Sequence, residues 1–413
     1  MRRIPVAPRP DWQTKAQELG FDWHTAPSAE DPAGLYWDES AYWHLSAEEV
    51  DVLEAATEEL HAMCLAAAAH VIDRKLLPHF GFDARAIGLI EQSWRERESA
   101  PTIYGRFDLA YGGAEVGDGQ PKMLEYNADT PTGLYEAAVV QWAWLQDCFP
   151  DSDQFNSIHE ALVAAWTNQK TLLTTPDASL HFTSLAPHAE DEGTLRYLVD
   201  TAIEAGLPAK IVSAADIGWA AESDMPEAGE FVDLDDLPIQ ALFKLVPWEW
   251  LLTDEFGTRL ARKVSARELT VIEPAWKMVL ANKAILVALW ELYPDHPYLL
   301  PAYMDRAAFP AGTMVAAKPL LGREGANISI ARLGENGAIA GEPLLSMGGS
   351  YGAEGYVYQQ LAPLAQAPGP KGTTHHAVIG SWFIDGRSCG IGIREDASLV
   401  TSNRSRFVPH RFE

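Results

Sequence analysis

The sequence of 413 residues predicts a mixed α/β (α+β) protein built in two or three parts. Three observations predict it. Strand, helix and strand patterns alternate through residues 180–213, as in a βαβ unit with a parallel sheet. Two alternating segments, 103–111 and 123–127, are joined by a glycine-rich connection, as in an antiparallel hairpin. A further run of strands begins near Met314 and is punctuated by the glycine turn 322–325.

The composition narrows the partners. Hydrophobic residues make up 47% and charged residues 22%, an ordinary globular balance, but 31 Lys+Arg face 58 Asp+Glu for a net charge of −27. A surface of that sign argues against nucleic acid or an anionic membrane, whose phosphates need positive partners, and is compatible with a cationic ligand. Cys64, Cys148 and Cys389 are widely spaced with no CxxC, so neither a disulfide framework nor a zinc site is expected. The first ten residues carry charge without the apolar core of a secretory signal, and no apolar run reaches bilayer length. A cytoplasmic location is the expectation; no oligomeric state follows.

Taken in order, residues 1–45 are rich in Pro and Trp with little helical periodicity and are expected to wrap the surface of a core. Ser46 followed by Glu49 is a capping box, and Val50, Leu53, Leu60, Met63, Ala67 and Val71 form the stripe of a helix reaching about Lys75. After the hairpin, 133–148 reads as a helix apolar nearly all round, hence buried, and 158–172 as another. In the βαβ stretch, 180–185 and 209–213 are the strands and 191–205 the helix. The acidic segment 220–236 reads as a surface loop, 239–245 as a buried strand and 248–263 as one helix. An apolar helix opens at Asn282-Lys283, followed by strands at 314–319, 328–331, 356–361 and 377–384. The segment 390–395 leads into a basic tail with Arg404, Arg406 and His410.

Two clusters carry chemistry. In the hairpin, residues two apart on a strand share a face, so Glu125 and Asn127 point the same way and Asp108 can sit opposite them. Two carboxylates and an amide oxygen are hard ligands suited to Mg²⁺, with positions left for water or phosphate. A hairpin with a solvated polar face would show the same alternation. The second cluster is Lys283, Lys318 and the turn Gly322-Arg-Glu-Gly325. Backbone N–H groups exposed by such a turn, with a lysine nearby, can hold phosphates, although an ordinary hairpin turn has the same glycines. Lys318 ends an apolar strand, where a lysine needs a partner. Gln359 and Gln360 lie beside apolar strand positions and can pair a base edge or face solvent. Mg²⁺ binds through few protein ligands plus substrate phosphates, so each cluster makes sense of the other.

The motifs Tyr104-Gly-Arg-Phe-Asp108, Leu124-Glu-Tyr-Asn-Ala-Asp-Thr-Pro-Thr132, the segment 276–283, the run from Lys318 to Ile328 and Tyr358-Gln-Gln-Leu361 stand in the chain in that order. They resemble the synthetase part of bacterial glutathionylspermidine synthase, a branch of the ATP-grasp ligases, from about Tyr36 to the C-terminus. The resemblance implies an ATP-grasp-like fold with a preceding βαβ substrate domain. In that division, 1–150 carries the metal-binding hairpin, 151–270 is the α/β substrate domain, and 271–413 holds the lid and the C-terminal nucleotide-binding part. It implies ATP and Mg²⁺ as cofactors, with Asp108, Glu125 and Asn127 on the metal and Arg106 on both nucleotide phosphate and the acyl group. Lys283 and Lys318 would bind phosphates, Gly322, Gly325 and Asn327 would belong to the lid loop, and Gln359, Gln360 and Leu361 would hold adenine. Arg394 matches an arginine near the transferred phosphate. Thr130 and Thr132 stand where the family has peptide-binding serines, and the run Glu190, Asp191 and Glu192 resembles the acidic stretch facing the peptide's α-amino end.

The implied activity is an ATP-dependent acid–amine ligase working through an acyl phosphate, joining a peptide carboxylate such as glutathione to a polyamine. In phosphoryl transfer a protein mainly positions groups and neutralises charge, which suits this set of cations and explains the lack of a catalytic triad. Two departures stand out. Leu245, in Lys244-Leu-Val-Pro-Trp-Glu249, replaces a threonine of the family, and the amidase part of the bifunctional members is expected to be missing. A ligase taking an amino acid or ammonia would keep every nucleotide residue. A non-catalytic nucleotide-binding protein would be expected to have lost Arg106, Asp108 or Glu125, and all three are present.

Overall fold

The computed structural model describes all residues except 26–33, 176–177, 186, 223–224 and 370–371, with the side chains of 222 and 225–227 also outside the description. Its centre is a six-stranded sheet assembled from both ends of the chain. Thr374–Ile384 lies between Arg387–Asp396 and Tyr104–Ala110, with Lys122–Asn127 beyond the latter, Arg406–Val408 at the far edge and Ala365–Pro368 also paired to the central strand. Every pairing is antiparallel. The central strand reads as a nearly continuous apolar run because it is covered on both faces, as a half-exposed strand would not be.

The helix Ala47–Asp73 packs across this sheet. Ser46 accepts from the Glu49 N–H and Glu49 returns a bond to the Ser46 N–H, so the predicted capping box starts it. The predicted stripe, Val50, Leu53, Leu60, Met63, Ala67 and Val71, is buried, each large side chain contributing about 1.5–3 kcal/mol of transfer free energy. The βαβ reading also holds. Leu180–Thr183, the helix Ala189–Glu204 and Ala209–Ile211 form a parallel unit, extended by Ala241–Lys244 and Thr270–Ile272 into a four-stranded parallel sheet. A third, antiparallel sheet runs Ala302–Tyr303, Tyr356–Gln360, Met314–Pro319, Ser329–Arg332, Leu345–Ser346. Its strands Met314–Pro319 and Ser329–Arg332 are the two arms joined by the 322–327 turn.

Three expectations are corrected, and the C-terminal tail, read for its charge alone, gains a structural account. Residues 1–45 do not merely wrap the surface: Arg2–Pro5 and Ala41–Leu45 pair with the C-terminal His410–Phe412, Trp12–Glu18 is a helix, and Phe21, Trp37 and Trp43 are core residues. The basic tail is likewise structural. Arg406 bonds Asp38 at 3.0 Å, and His410 is buried, paired with Gln141 at 2.9 Å. The acidic segment is a hairpin, Gly218–Glu222 against Met225–Val232, because Trp219 and Phe231 pack ring to ring and need paired strands to do so. The single helix over 248–263 is two, Trp248–Leu251 and Glu255–Ser265, since Asp254 accepts from the Gly257 N–H and caps a new start. The helix expected over 133–148 forms with one π turn, Glu136–Val140, and is buried except for residues such as Trp142, which is 42% exposed. Among the described residues, no helix is long and apolar enough to cross a membrane.

Candidate active site

Register in the central sheet gathers the first cluster. Asp108 stands opposite Glu125, and Arg106 opposite Asn127. On the other side Asp108 faces Gly380, and Arg394 is two residues along, opposite Val378. A Cβ at Gly380 would stand 2.8 Å from Arg106 Cδ, so only glycine lets the arginine lie across the neighbouring strand. Arg106 donates to Asp108 from Nε at 2.7 Å and from Nη2 at 3.2 Å, and its Nη1 donates to the Thr132 carbonyl. Arg394 Nη2 donates to Asp108 Oδ2 at 2.9 Å. The buried carboxylate is thus clamped by two guanidinium groups. Burial alone would lower the Arg106 pKa, and Asp108 more than reverses it.

Glu125 stands 2.9 Å from Lys283 Nζ and accepts from Asn127 Nδ2 at 2.9 Å. Burial works to raise its carboxyl, but Lys283 and Lys318 hold it far below the usual carboxylate range. Lys318 has the partners its position requires: it donates to the Leu124 carbonyl at 2.9 Å and to Gln359 Oε1 at 2.6 Å. Gln359 Nε2 in turn donates to the Met123 carbonyl at 2.9 Å, so these bonds tie the third sheet, which holds Met314–Pro319 and Tyr356–Gln360, to the hairpin. Burial pushes Lys318 down to about 8 against the pull of Glu125.

Between the hairpin and this third sheet runs a cleft of about 660 Å³ including its mouth. Asp108, Glu125 and Lys318 line one end; Gln359, Gln360 and Leu361 line it with Ile328, Ile330, Leu364 and Leu399, giving an apolar slot with polar edges. Four cations (Arg106, Arg394, Lys283, Lys318) against two carboxylates leave this end with an excess of two positive charges. A second, polar recess adjoins it, lined by Asn127, Asp129, Thr130, Glu249, Lys283 and Arg323. Here Arg323 donates to Glu249 at 2.7 Å and to Thr130 Oγ1 at 2.9 Å, while Asp129 accepts from Lys244 and from the Trp248 N–H.

Not every candidate joins this assembly. Asn127, Thr130 and Gly322 line the polar recess, whereas Thr132 offers its carbonyl to Arg106. Gly322 also accepts from Lys283 Nζ at 2.6 Å, and Gly325 lines the cleft. Asn327 instead lines a recess on the opposite face of the third sheet with Val315, Ala317 and Tyr358. Asp191 lies near Glu324 of the 322–327 turn: burial, opposed by His188 and reinforced by Glu190 and Glu324, lifts it to about 6. Glu192 turns outward to Arg196 at 3.0 Å. Leu245 is a core residue, and its N–H donates to the Thr183 carbonyl. Arg323, Glu249 and Gly380 were missed as site residues in the sequence. An arginine between the glycines of the turn was the available signal; Gly380 had none, since its role depends on a strand 270 residues away in the chain.

The turn depends on glycine in a way that can be tested. Gly325 has φ +72°, and a Cβ there would meet the Thr401 carbonyl and Val400 Cγ1, both at 2.7 Å. Gly325→Ala combines an αL penalty of about 1–2 kcal/mol with that clash. It is expected to raise the apparent Kd for ATP at least about tenfold and to lower the melting temperature by only a few degrees, read by calorimetry and thermal denaturation. Unchanged ATP affinity would show that the turn does not shape the cleft.

A strand hairpin facing an antiparallel sheet across a cleft that ends in two carboxylates and Lys318 is the arrangement of an ATP-grasp-type protein. The fold matches the solved structure of a glutathione synthetase-like effector from Globodera pallida, with a TM-score of 0.56 and 8% identity over 100% of both chains. Within that class the chain belongs to the family described as "Glutathionylspermidine synthase preATP-grasp", which it matches over residues 3–413. A Haemophilus influenzae protein provisionally named an acid–amine ligase is 41% identical over 416 residues, covering 100% of each chain. Trypanothione synthetase of Crithidia fasciculata is 28% identical over 379 residues, 86% of this chain and 54% of that one. The bifunctional glutathionylspermidine synthetase/amidase of Escherichia coli is 26% identical over 392 residues, 89% of this chain and 58% of that one. The chain therefore spans little more than half the length of the last two. It is an ATP-dependent carbon–nitrogen ligase.

Proposed function

We propose that this ligase joins a peptide carboxylate such as that of glutathione to a polyamine, through an acyl phosphate. The observation that carries the reading is the convergence of Arg106, Arg394, Lys283 and Lys318 on the end of an apolar slot, beside the Thr130–Arg323 recess. Adenine would lie in the slot against Gln359, Gln360 and Leu361, and the acid in the recess. A carboxylate oxygen of the acid then attacks the γ-phosphorus, the bond to the β-phosphate oxygen breaks, and ADP leaves. The amine nitrogen attacks the acyl carbon, phosphate departs and the amine loses a proton. Arg106, with five donors in a planar fork, can hold carboxylate and transferring phosphoryl group together, and Arg394 neutralises the same region. The lid turn 322–327 excludes the water that would hydrolyse the intermediate.

The residues fit a magnesium ion. Asp108 and Glu125 are register partners with Asn127 beside them, all hard oxygen donors. No group of three His, Cys, Asp or Glu able to hold a metal exists among the described residues, so the remaining ligands would be phosphate oxygens and water, as Mg²⁺ prefers. When bound there, the ion would neutralise phosphate charge.

The test is ADP release from purified protein against a matrix of peptides and amines, with product masses read by mass spectrometry. Glutathione with spermidine should give ADP and a product lighter than its two parents by one water. Absence of ADP release with every pair would overturn the reading.

A second expected result concerns Lys318. Because burial lowers its pKa to about 8, it loses its charge as pH rises past that value, and phosphates favour the charged form. ATP binding should therefore take up a proton above pH of about 8, and affinity should fall by up to about tenfold per further pH unit. Lys318→Arg, which cannot titrate, should lose this alkaline limb. Calorimetry across pH reads it; an identical limb in both proteins would assign the titration elsewhere.

A further inference from the structure

The segment that follows the strand Lys122–Asn127 carries three of the contacts that shape the site. Thr130 Oγ1 accepts from Arg323, and the Thr132 carbonyl accepts from Arg106 Nη1. Gly133, at φ +76°, would place a Cβ 3.9 Å from that same Nη1. Residues 128–133 belong to neither a helix nor a strand, so no ladder of backbone bonds fixes them. A buried ion pair does. Asp129 accepts from Lys244 Nζ on one carboxylate oxygen and from the Trp248 N–H on the other, the latter at 3.2 Å. Lys244 ends Ala241–Lys244, an interior strand of the parallel sheet, and its Nζ stands 5.2 Å from the centroid of the Trp248 ring. Asp129 is 1% exposed and Lys244 0%.

Taking an ammonium and a carboxylate out of water is costly, and a buried ion pair is often no more stabilising than apolar residues of the same size. Stability alone therefore does not account for this pair. What it supplies is position. It ties residue 129 to two places at once, the end of a strand and the first turn of the helix Trp248–Leu251. Three residues further on, the Thr132 carbonyl holds one side of the Arg106 guanidinium, whose other edge is held by Asp108. Lys244 lines neither the cleft nor the polar recess, so it can act on the chemistry only through Asp129.

We propose that Lys244 is a positioning residue of the ligase. Through the Asp129 carboxylate it sets the course of segment 128–133, and so the place from which the Thr132 carbonyl holds the plane of Arg106. The inference rests on the reading of Arg106 as the group that meets carboxylate and phosphoryl group together. It adds what keeps that arginine in register, because a displacement of about 1 Å in a reacting constellation can cost about 10²-fold in rate. In the sequence Lys244 stands out only as the neighbour of Leu245, since its partner lies 115 residues earlier.

Changing Lys244 alone to an apolar residue would leave Asp129 buried and unpaired, so the test uses the neutral pair Lys244→Met with Asp129→Asn. The amide oxygen can still accept from the Trp248 N–H, and Lys244→Gln, which keeps a donor for Asp129, serves if the pair fails to fold. Crystal structures of wild type and variant give the first readout. The Thr132 carbonyl is expected to move beyond hydrogen-bond reach of Arg106 Nη1, more than about 3.5 Å, and an unmoved carbonyl overturns the proposal. The second readout is ADP release with glutathione and spermidine. The paired variant should lose about tenfold or more in kcat, with the KM for ATP changed less than about threefold. In an Arg106→Lys background the same pair should lower kcat less than about threefold further, because the fork it positions is already gone. An equal fall in both backgrounds, a matching rise in KM, or wild-type kcat in the paired variant overturns the positioning role. Arg106→Lys within tenfold of wild-type kcat sinks the reading of Arg106 instead. If the wild type releases no ADP with this pair of substrates, the acid–amine reading fails for them, and the crystal structures alone decide whether Lys244 positions Arg106.

Discussion

Glu125→Gln is expected to lower kcat by about 10²- to 10³-fold while the protein stays folded. The side chain is placed by cross-strand register beside Asp108 and held ionised by Lys283 and Lys318. Glutamine fills the same space, keeps one oxygen near Asn127, and removes the charge that a metal with few protein ligands needs. It also leaves two lysines without their counterion, so ATP itself can still bind through its phosphates. The expected pattern is therefore a fall in turnover larger than the fall in nucleotide affinity, measured as ADP release and as Kd by calorimetry. Asp108→Asn should be as inactive but less informative. Asp108 is buried between two guanidinium groups, and removing one partner of such a cluster costs about 3–5 kcal/mol of stability. Near wild-type ADP release by Glu125→Gln would remove Glu125 from the metal site.

The candidate site was legible where the chain is local and opaque where it is not. Glu125 and Asn127 share a strand face by the alternation of the strand alone, and Lys318 at the end of an apolar strand implied a buried partner. That partner, Gln359, lies 41 residues on and could not be identified from spacing. The clamp on Asp108 needs Arg394, brought by a strand from the other end of the chain, and the space over Arg106 needs Gly380. Only the family resemblance pointed to Arg394.

The fold follows the same rule. The capping box at Ser46 and the βαβ unit at 180–211 are short-range patterns and formed as expected. The N-terminal segment was misjudged because its tryptophans look like surface wrapping until His410–Phe412 supplies a strand for Ala41–Leu45 to pair with. Composition misled at 220–236, where acidic residues on an exposed hairpin resemble a loop. Glu136 stood unremarked inside a helix read as apolar, and the groups that bond it, Trp23 and Tyr36, lie 113 and 100 residues away in the chain.

Arg106→Lys should be the most damaging conservative change, lowering kcat about 10²-fold or more with a much smaller effect on the KM for ATP. Lysine keeps the charge but not the fork. Arg106 spends Nε and Nη2 on Asp108 and Nη1 on the Thr132 carbonyl, so its plane is fixed from two sides before any substrate arrives. An ammonium on a flexible stem can meet Asp108 or Thr132 but cannot hold both while facing a carboxylate and a phosphoryl group. Loss of one preorganised donor to a developing charge is worth about 2.7–4 kcal/mol, which sets the expected fall. In the proposed arrangement ATP binding would be spread over Lys283, Lys318 and the apolar slot, so ground-state affinity should survive. The split between kcat and KM is what separates the roles. If kcat fell less than tenfold while the melting temperature dropped, Arg106 would be a structural clamp on Asp108, and Arg394 alone would be left to meet the transferring phosphoryl group.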